Sequence, residues 1–386
     1  MSTGKRLVFL DNLKVLLIAL VVFHHAGQAY GPTGGYWDIQ DPSRFALLGP
    51  FFAVNASFFM ALFFFISAYF FPQSYDKKGA GAFIGDKLIR FGIPVLIGLL
   101  VIVPAYQYFS FELFRGGQPM GFFDYLINIF FGFGDNPHLA NMPNWPELNY
   151  GPFWFILHLL VYSLIYALYR FIKGKIMAGK APREVRQKSP AVWSIILFVV
   201  MVTGITAVIR IRYPIDEWVG ILGFIQAEPA HLASYAFMFI AGLLARRYGW
   251  LTNLKKSVGY VFLGIGAIMG ILLFVLYGVN GGYPQELRSA WVLYDTPMGI
   301  ALCIGFIVLA REKLNTETKL WSYLSGNAFT VYILQQPVLV LLQAALLPVP
   351  LNGLFKFLIT GTAAFVICNL LATLIRKLRF VRRVLG

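Results

Sequence analysis

Apolar residues in this chain come in long runs separated by short polar connections. The runs are about as long as a helix needs to cross a bilayer, roughly 20 residues. Ten are readable: about 7–29, 45–71, 91–111, 153–169, 192–208, 230–245, 258–277, 291–310, 321–342 and 354–375. Pro94 and Pro104 are expected to kink the third run or mark its edges. Residues 121–133 are apolar but too few to span, and read as an interfacial or re-entrant piece. The Pro- and Asn-rich connection that follows, 134–151, is long enough to act as a lid or hold a ligand. The short alternating segments of a membrane β-barrel do not occur. The pattern predicts an all-α, polytopic membrane protein of ten helices, one domain over 1–386, with both termini on the same side.

Composition agrees. Hydrophobic residues make up 58% of the 386 and charged residues only 13%, about half the share of a soluble domain. The formal net charge of +15 would suit nucleic acid if it were gathered on one soluble face. Instead, with the N-terminus placed in the cytoplasm, most of the 32 Lys and Arg fall in cytoplasmic connections, as the positive-inside bias requires. Arg44, Arg115, Arg210, Arg212, Arg288 and Lys356 fall outside. The charge is therefore assigned to topology and anionic lipid, and no nucleic-acid partner is expected. Cys303 and Cys368 lie in apolar runs and read as buried hydrophobes. A cleaved signal peptide is disfavoured, because the first run is long and carries ionisable groups.

Those groups are the first sign of chemistry. The first run holds Asp11, Asn12, Lys14, His24 and His25, and ionisable side chains inside a span are costly and face a protein interior or cavity. Lys14 and His25 are eleven residues apart, close to three turns, so they share a face about 16 Å apart along the axis. With Asp11 near the same face, this wall is expected to be a polar track. His25 either belongs to a structural network or takes and gives a proton near neutral pH, deprotonating a hydroxyl or holding an acyl group for a moment. His24 points about 100° away and is expected to pack elsewhere. Lys14 is either an anchor that snorkels to the surface or a cavity residue that binds an anionic group such as phosphate, with Asp11 neutralising it.

Lys87 and Arg90, at i and i+3, read as inner-surface anchors or as a phosphate site. Ser67 reads as a packing contact or a cavity residue. Asn327 and the pair Gln335 and Gln336 mark the ninth run, where at least one amide must face an interior. Asp295 and His231 read as solvated loop edges; His158 is assigned no role. His138, Trp145 and Glu147 are candidates to touch an acceptor. No phosphate-binding Gly-rich loop, nucleophile elbow or metal-spaced cluster occurs.

Several of these segments, taken in order, resemble the integral-membrane acyltransferase-3 family, most closely its glucan biosynthesis protein C branch. Lys14 to His25 within LDNLKVLLIALVVFHHA resembles the family's basic residue, ten residues, then His. FFFISAYF resembles its FF-x-x-S-G-F pattern, with Ala68 where Gly is usual. Lys87, Arg90 and Pro94 resemble R-x-x-R-x-x-x-P, WFIL at Trp154 to Leu157 resembles WF-x-L, and FMFIAGLLARRYGWL resembles the F-x-x-G segment. YILQQPVL resembles Y-x-L-H-x-P, with Gln335 at the usual His.

The resemblance implies transfer of an acyl group, acetyl or succinyl, from cytoplasmic acyl-CoA to an extracytoplasmic glycan at the bacterial inner membrane. It implies His25 and Lys14 as catalytic residues, and Lys87 and Arg90, with Ser67, as donor-binding. Asp11, Gln335 and Asn327 are expected to contribute to substrate binding, and no permanently bound cofactor is expected. A proton-coupled secondary transporter, with His25 and Lys14 as a relay, is the alternative; it would require inverted repeats, which the chain does not display.

Overall fold

The computed structural model describes residues 6–32, 37–114, 120–133, 149–178 and 187–385. All ten expected runs are helical. In chain order they are α1 Val8–Gln28, α2 Leu48–Lys78, α3 Ala80–Leu113, α4 Gly151–Ile176, α5 Val192–Arg212, α6 Pro229–Tyr248, α7 Lys256–Asn280, α8 Val292–Lys313, α9 Lys319–Leu346 and α10 Gly353–Ile375. All but α6 pass as membrane spans on length and hydropathy alone. α6 has the 20 residues needed but is less apolar, because it packs inside the bundle instead of facing lipid. The 121–133 piece is the short helix Phe122–Tyr125 continued by a wider turn, Leu126–Phe130, and it docks through Tyr125 on Tyr108 and Phe111. The candidates His138, Trp145 and Glu147 lie outside the described residues.

α2 is the hub. Its dense phenylalanines, Phe58 to Phe65 among them, are buried, and α1, α6 and α8 pack along it. Close approach is possible because two neighbours put glycine at the contact. A Cβ on Gly242 of α6 would lie 2.2 Å from the Phe65 carbonyl oxygen, and one on Gly299 of α8 would lie 2.0 Å from that of Ser57. Ala68, where the family pattern has Gly, also lies against Gly242. By contrast, α5 and α7 bury little of their surface and present Ile, Val and Leu outward, as lipid-facing helices do.

α3 is not a regular α-helix throughout. Its hydrogen bonding widens from i+4 to i+5 over Leu88–Gly92 and Gly98–Ile102, just ahead of Pro94 and Pro104. Each proline lacks an N–H and its ring crowds the carbonyl four residues back, at Arg90 and Leu100, and a π-helical turn relieves the clash. Arg90 is thus presented from a widened turn.

A two-stranded hairpin, Val219–Ile221 with Ile225–Ala227, precedes α6. The carbonyl of its Gln226 accepts a hydrogen bond from His158 Nε2 at 2.9 Å. Asp295 and His231 are not solvated loop edges. Arg210 grips the Asp295 carboxylate with two bonds of 3.0 and 2.8 Å, both side chains buried, and His231 pairs with Glu228 at 2.9 Å. Helix packing at α5, α6 and α8 covers these groups, which composition alone left at an edge. Glu228 lies outside the spans. Burial pushes its carboxyl pKa up, but His231, the Asp216 amide and Arg210 more than offset that and hold it below its ordinary value. Cys303 and Cys368 are free and buried.

Candidate active site

The two ends of α1 are built differently. At the Lys14 end, α1, α2 and α3 line an open cavity of about 380 Å³. Lys14, Ser67, Lys87 and Arg90, singled out separately along the chain, all line it, with Phe70, Ser74, Lys78 and Asp86. Ser67 is therefore a cavity residue. Four cations face a single carboxylate in this lining, so the space favours an anion.

Lys14 is not free: Asp11 pairs with it at 2.7 Å and with Arg6 at 2.8 Å. Asp11 thus neutralises and aims Lys14, as expected, and does not itself line the cavity. Arg6 also reaches Glu317 at 2.8 Å. Asn12 donates to the carbonyls of Leu314 and Thr316 at 2.7 and 3.0 Å, which fixes the start of α1 against the α8–α9 connection.

Lys87 is the most telling of the four. It is buried to 9% exposure, and its ammonium sits 4.5 Å from the ring of Phe71, 5.0 Å from Phe91 and 5.3 Å from Phe83. Among the described residues it has no hydrogen-bond acceptor. Ring faces attract a cation by about 0.5–2 kcal/mol, less than the several kcal/mol that burying an ion costs. An ammonium held this way at a cavity wall is poised for an anion. Lys78 and Arg90 share Asp86, at 2.8 and 3.3 Å. Asp86 and Lys78 were not picked out in the sequence, although Asp86 and Arg90 stand at the i,i+4 spacing of a helical ion pair.

The other end holds His25. Its Nδ1 lies 3.0 Å from Gln335 Oε1, and its ring stacks on Trp37 at 5.4 Å between centroids. Trp37 is pinned in turn: its indole N–H donates to Gln343 Oε1 at 2.7 Å, while Gln343 Nε2 donates to the carbonyls of His25 and Ala26 at 3.2 and 3.1 Å. Gln336 Nε2 reaches Asp38 at 3.5 Å. The connection after α1 is clamped over this end by Lys356, whose buried ammonium meets Asp41 at 2.5 Å. Trp37 and Asp41 were missed in the sequence, because loop residues carry no periodicity; Gln343, on α9, was missed because nothing local shows that its amide meets a loop residue and the end of α1. A proton on Nδ1 suits this contact with the amide oxygen and leaves Nε2 as the basic nitrogen. His24 points elsewhere, as expected, 3.1 Å from Gln28 Nε2 and packed among Phe51, Phe52 and Phe59.

Two readings from the sequence change. The continuous polar track along α1 is instead two polar ends: Ile18 and Val21, which share the face of Lys14 and His25, are buried at 6% and 1% exposure, and His25 does not line the Lys14 cavity. Helical phase alone cannot reveal that the residues between are apolar and packed. Asn327, expected near substrate, is used to tie α9 to α10. It donates to Thr373 Oγ1 at 3.0 Å and accepts from Arg376 at 2.8 Å.

A comparison with curated proteins gives no match. The acyltransferase domain model of the acyltransferase-3 family, however, matches residues 7–375, so nearly the whole bundle, from the cavity to the glutamines beside His25, falls within it. The chain belongs to that family and is a membrane acyltransferase.

Proposed function

We propose that this protein carries an acyl group, acetyl or succinyl, from cytoplasmic acyl-CoA to a hydroxyl of an extracytoplasmic glycan at a bacterial inner membrane, with both termini in the cytoplasm. The observation that carries this reading is the convergence of Lys14, Ser67, Lys87 and Arg90 on one anion-favouring cavity, on the helix whose far end holds His25 with a basic nitrogen left over. The phosphates of the donor occupy the cavity. The pantetheine arm runs along α1 past Ile18 and Val21, so the thioester reaches the His25 end.

There the acceptor hydroxyl gives its proton to His25 Nε2 as its oxygen attacks the thioester carbon. The new C–O bond forms, the C–S bond breaks, and the departing sulfur takes the proton back from His25. A positioned base contributes about 10²–10⁴-fold in rate. Gln335 and Trp37 orient the ring.

The test uses sealed membranes carrying the full chain with labelled acyl-CoA, following release of free CoA thiol and the mass of surface glycans. His25→Ala is expected to lower both by at least a hundredfold while the protein stays folded and inserted. Full activity in that variant refutes the mechanism, and transport without thiol release refutes the donor.

A further inference from the structure

A second cavity of about 370 Å³ opens beside the first and shares Lys78, Asp86 and Arg90 with it. Its remaining cation is Arg383. This residue belongs to the short C-terminal helix α11, Arg379–Leu385, beyond residue 375 where the family match stops. α11 is docked: Val384 is buried and Leu385 packs on the core, against the widened turn Leu88–Gly92 that carries Arg90. Lys78 and Arg90 lean on Asp86, whereas Arg383 has no carboxylate within ion-pair range among the described residues.

Positive charge without a carboxylate partner among the described residues thus stands at both ends of the combined space, the buried Lys87 at one and the exposed Arg383 at the other, and is partly neutralised between them. A single small anion needs only one of these ends. A ligand bearing two separated phosphate groups matches both. We propose that Arg383 is a specificity-determining residue that binds the 3′-phosphate at the adenosine end of the donor, while the pyrophosphate lies with Lys87 and Arg90. This rests on the acyl-CoA reading above. A guanidinium suits the role, because it can offer a phosphate two parallel N–H donors.

The test uses the full chain in nanodiscs of neutral phosphatidylcholine, with each variant checked by thermal melting. Adenosine 3′,5′-bisphosphate and adenosine 5′-monophosphate are titrated as probes. The wild type is expected to prefer the bisphosphate by about tenfold, the scale of one charge-assisted contact. Arg383→Ala is expected to lose that preference and Arg383→Lys to keep part of it. In turnover, Arg383→Ala is expected to raise KM for acetyl-CoA with kcat unchanged, and to leave KM for 3′-dephospho-acetyl-CoA untouched. A preference that is absent in the wild type, or unchanged in Arg383→Ala, overturns the assignment. So does an Arg383 effect that appears only when phosphatidylglycerol is added, since Arg383 then serves a lipid headgroup. If the wild type turns over neither donor yet keeps an Arg383-dependent preference for the bisphosphate, the two-phosphate site stands and the acyl-CoA donor falls.

Discussion

Replacing Gln335 by Leu tests whether the amide acts through His25. The substitution keeps the volume of the side chain and removes the acceptor 3.0 Å from Nδ1. The Trp37 stack and its Gln343 anchor stay, so the ring keeps its place and loses its partner. Leaving a donor unpaired in a half-buried site costs about 1–3 kcal/mol. The imidazole can recover part of that by moving its proton to Nε2, but an Nε2–H cannot accept the acceptor's proton. If the whole cost falls on the transition state, kcat drops roughly five- to 150-fold, with little change in donor KM because the cavity is untouched. Gln335→His, which installs the residue usual in the family, should retain most activity, since a ring nitrogen can also accept from Nδ1–H.

The decisive measurement is the double variant. In thiol-release assays, Gln335→Leu on top of His25→Ala should be no slower than His25→Ala alone, because a positioning residue has nothing left to position. A second deficit that multiplies the first would show that Gln335 works independently of His25 and would sink this reasoning.

Lys87→Met should raise donor KM at least tenfold without lowering Tm, since it removes a buried ammonium that has only ring faces for company; a fall in Tm would mark Lys87 as a structural anchor. Arg210→Met and Asp295→Leu should each destabilise by about 3–5 kcal/mol by stranding a buried charge, and the double variant should recover most of the loss; thermal unfolding in nanodiscs reads this, and strictly additive losses would contradict it. For Glu228→Gln the sign follows from the depressed folded-state pKa. The carboxylate's stabilisation is fully present above its ordinary pKa and is lost as pH falls through the lower folded value. The Tm deficit of the variant should therefore be largest near neutral pH and shrink in acid, and a deficit constant down to pH 3 would exclude the pair as its source.

The sequence carried the helices and the cavity for one reason: both follow from local pattern. Apolar runs of bilayer length have no alternative to helix, and Lys14, Lys87 and Arg90 stand out because a charge in such a run needs an interior reason. Even the widened turns of α3 stand just ahead of Pro94 and Pro104. What the pattern lacked was partner choice across the chain. Asp295 and Arg210 are 85 residues apart, and Asn327 meets Thr373 from 46 residues away; no periodicity couples such positions. Trp37 sits in a connection whose only signal is composition, so the stack on His25 becomes visible only when α1 and α9 are placed together.

The same limit explains the broken track on α1. Phase put Lys14 and His25 on one face, and the structure agrees, but phase says nothing about what packs at Ile18 and Val21. An open polar channel between the two ends would let ions and water through the bilayer along with the donor's arm. Packed aliphatic side chains between them close that path, because water without polar partners is not retained in apolar space. On the acyl-CoA reading proposed above, the enzyme has to solve both problems. A seal that only a thin, mostly uncharged arm can part meets them together. Val21→Ser should therefore increase passive proton leak in proteoliposomes while leaving acyl transfer within a few-fold of wild type. Unchanged leak with lost transfer would mean that Val21 contacts the arm and seals nothing.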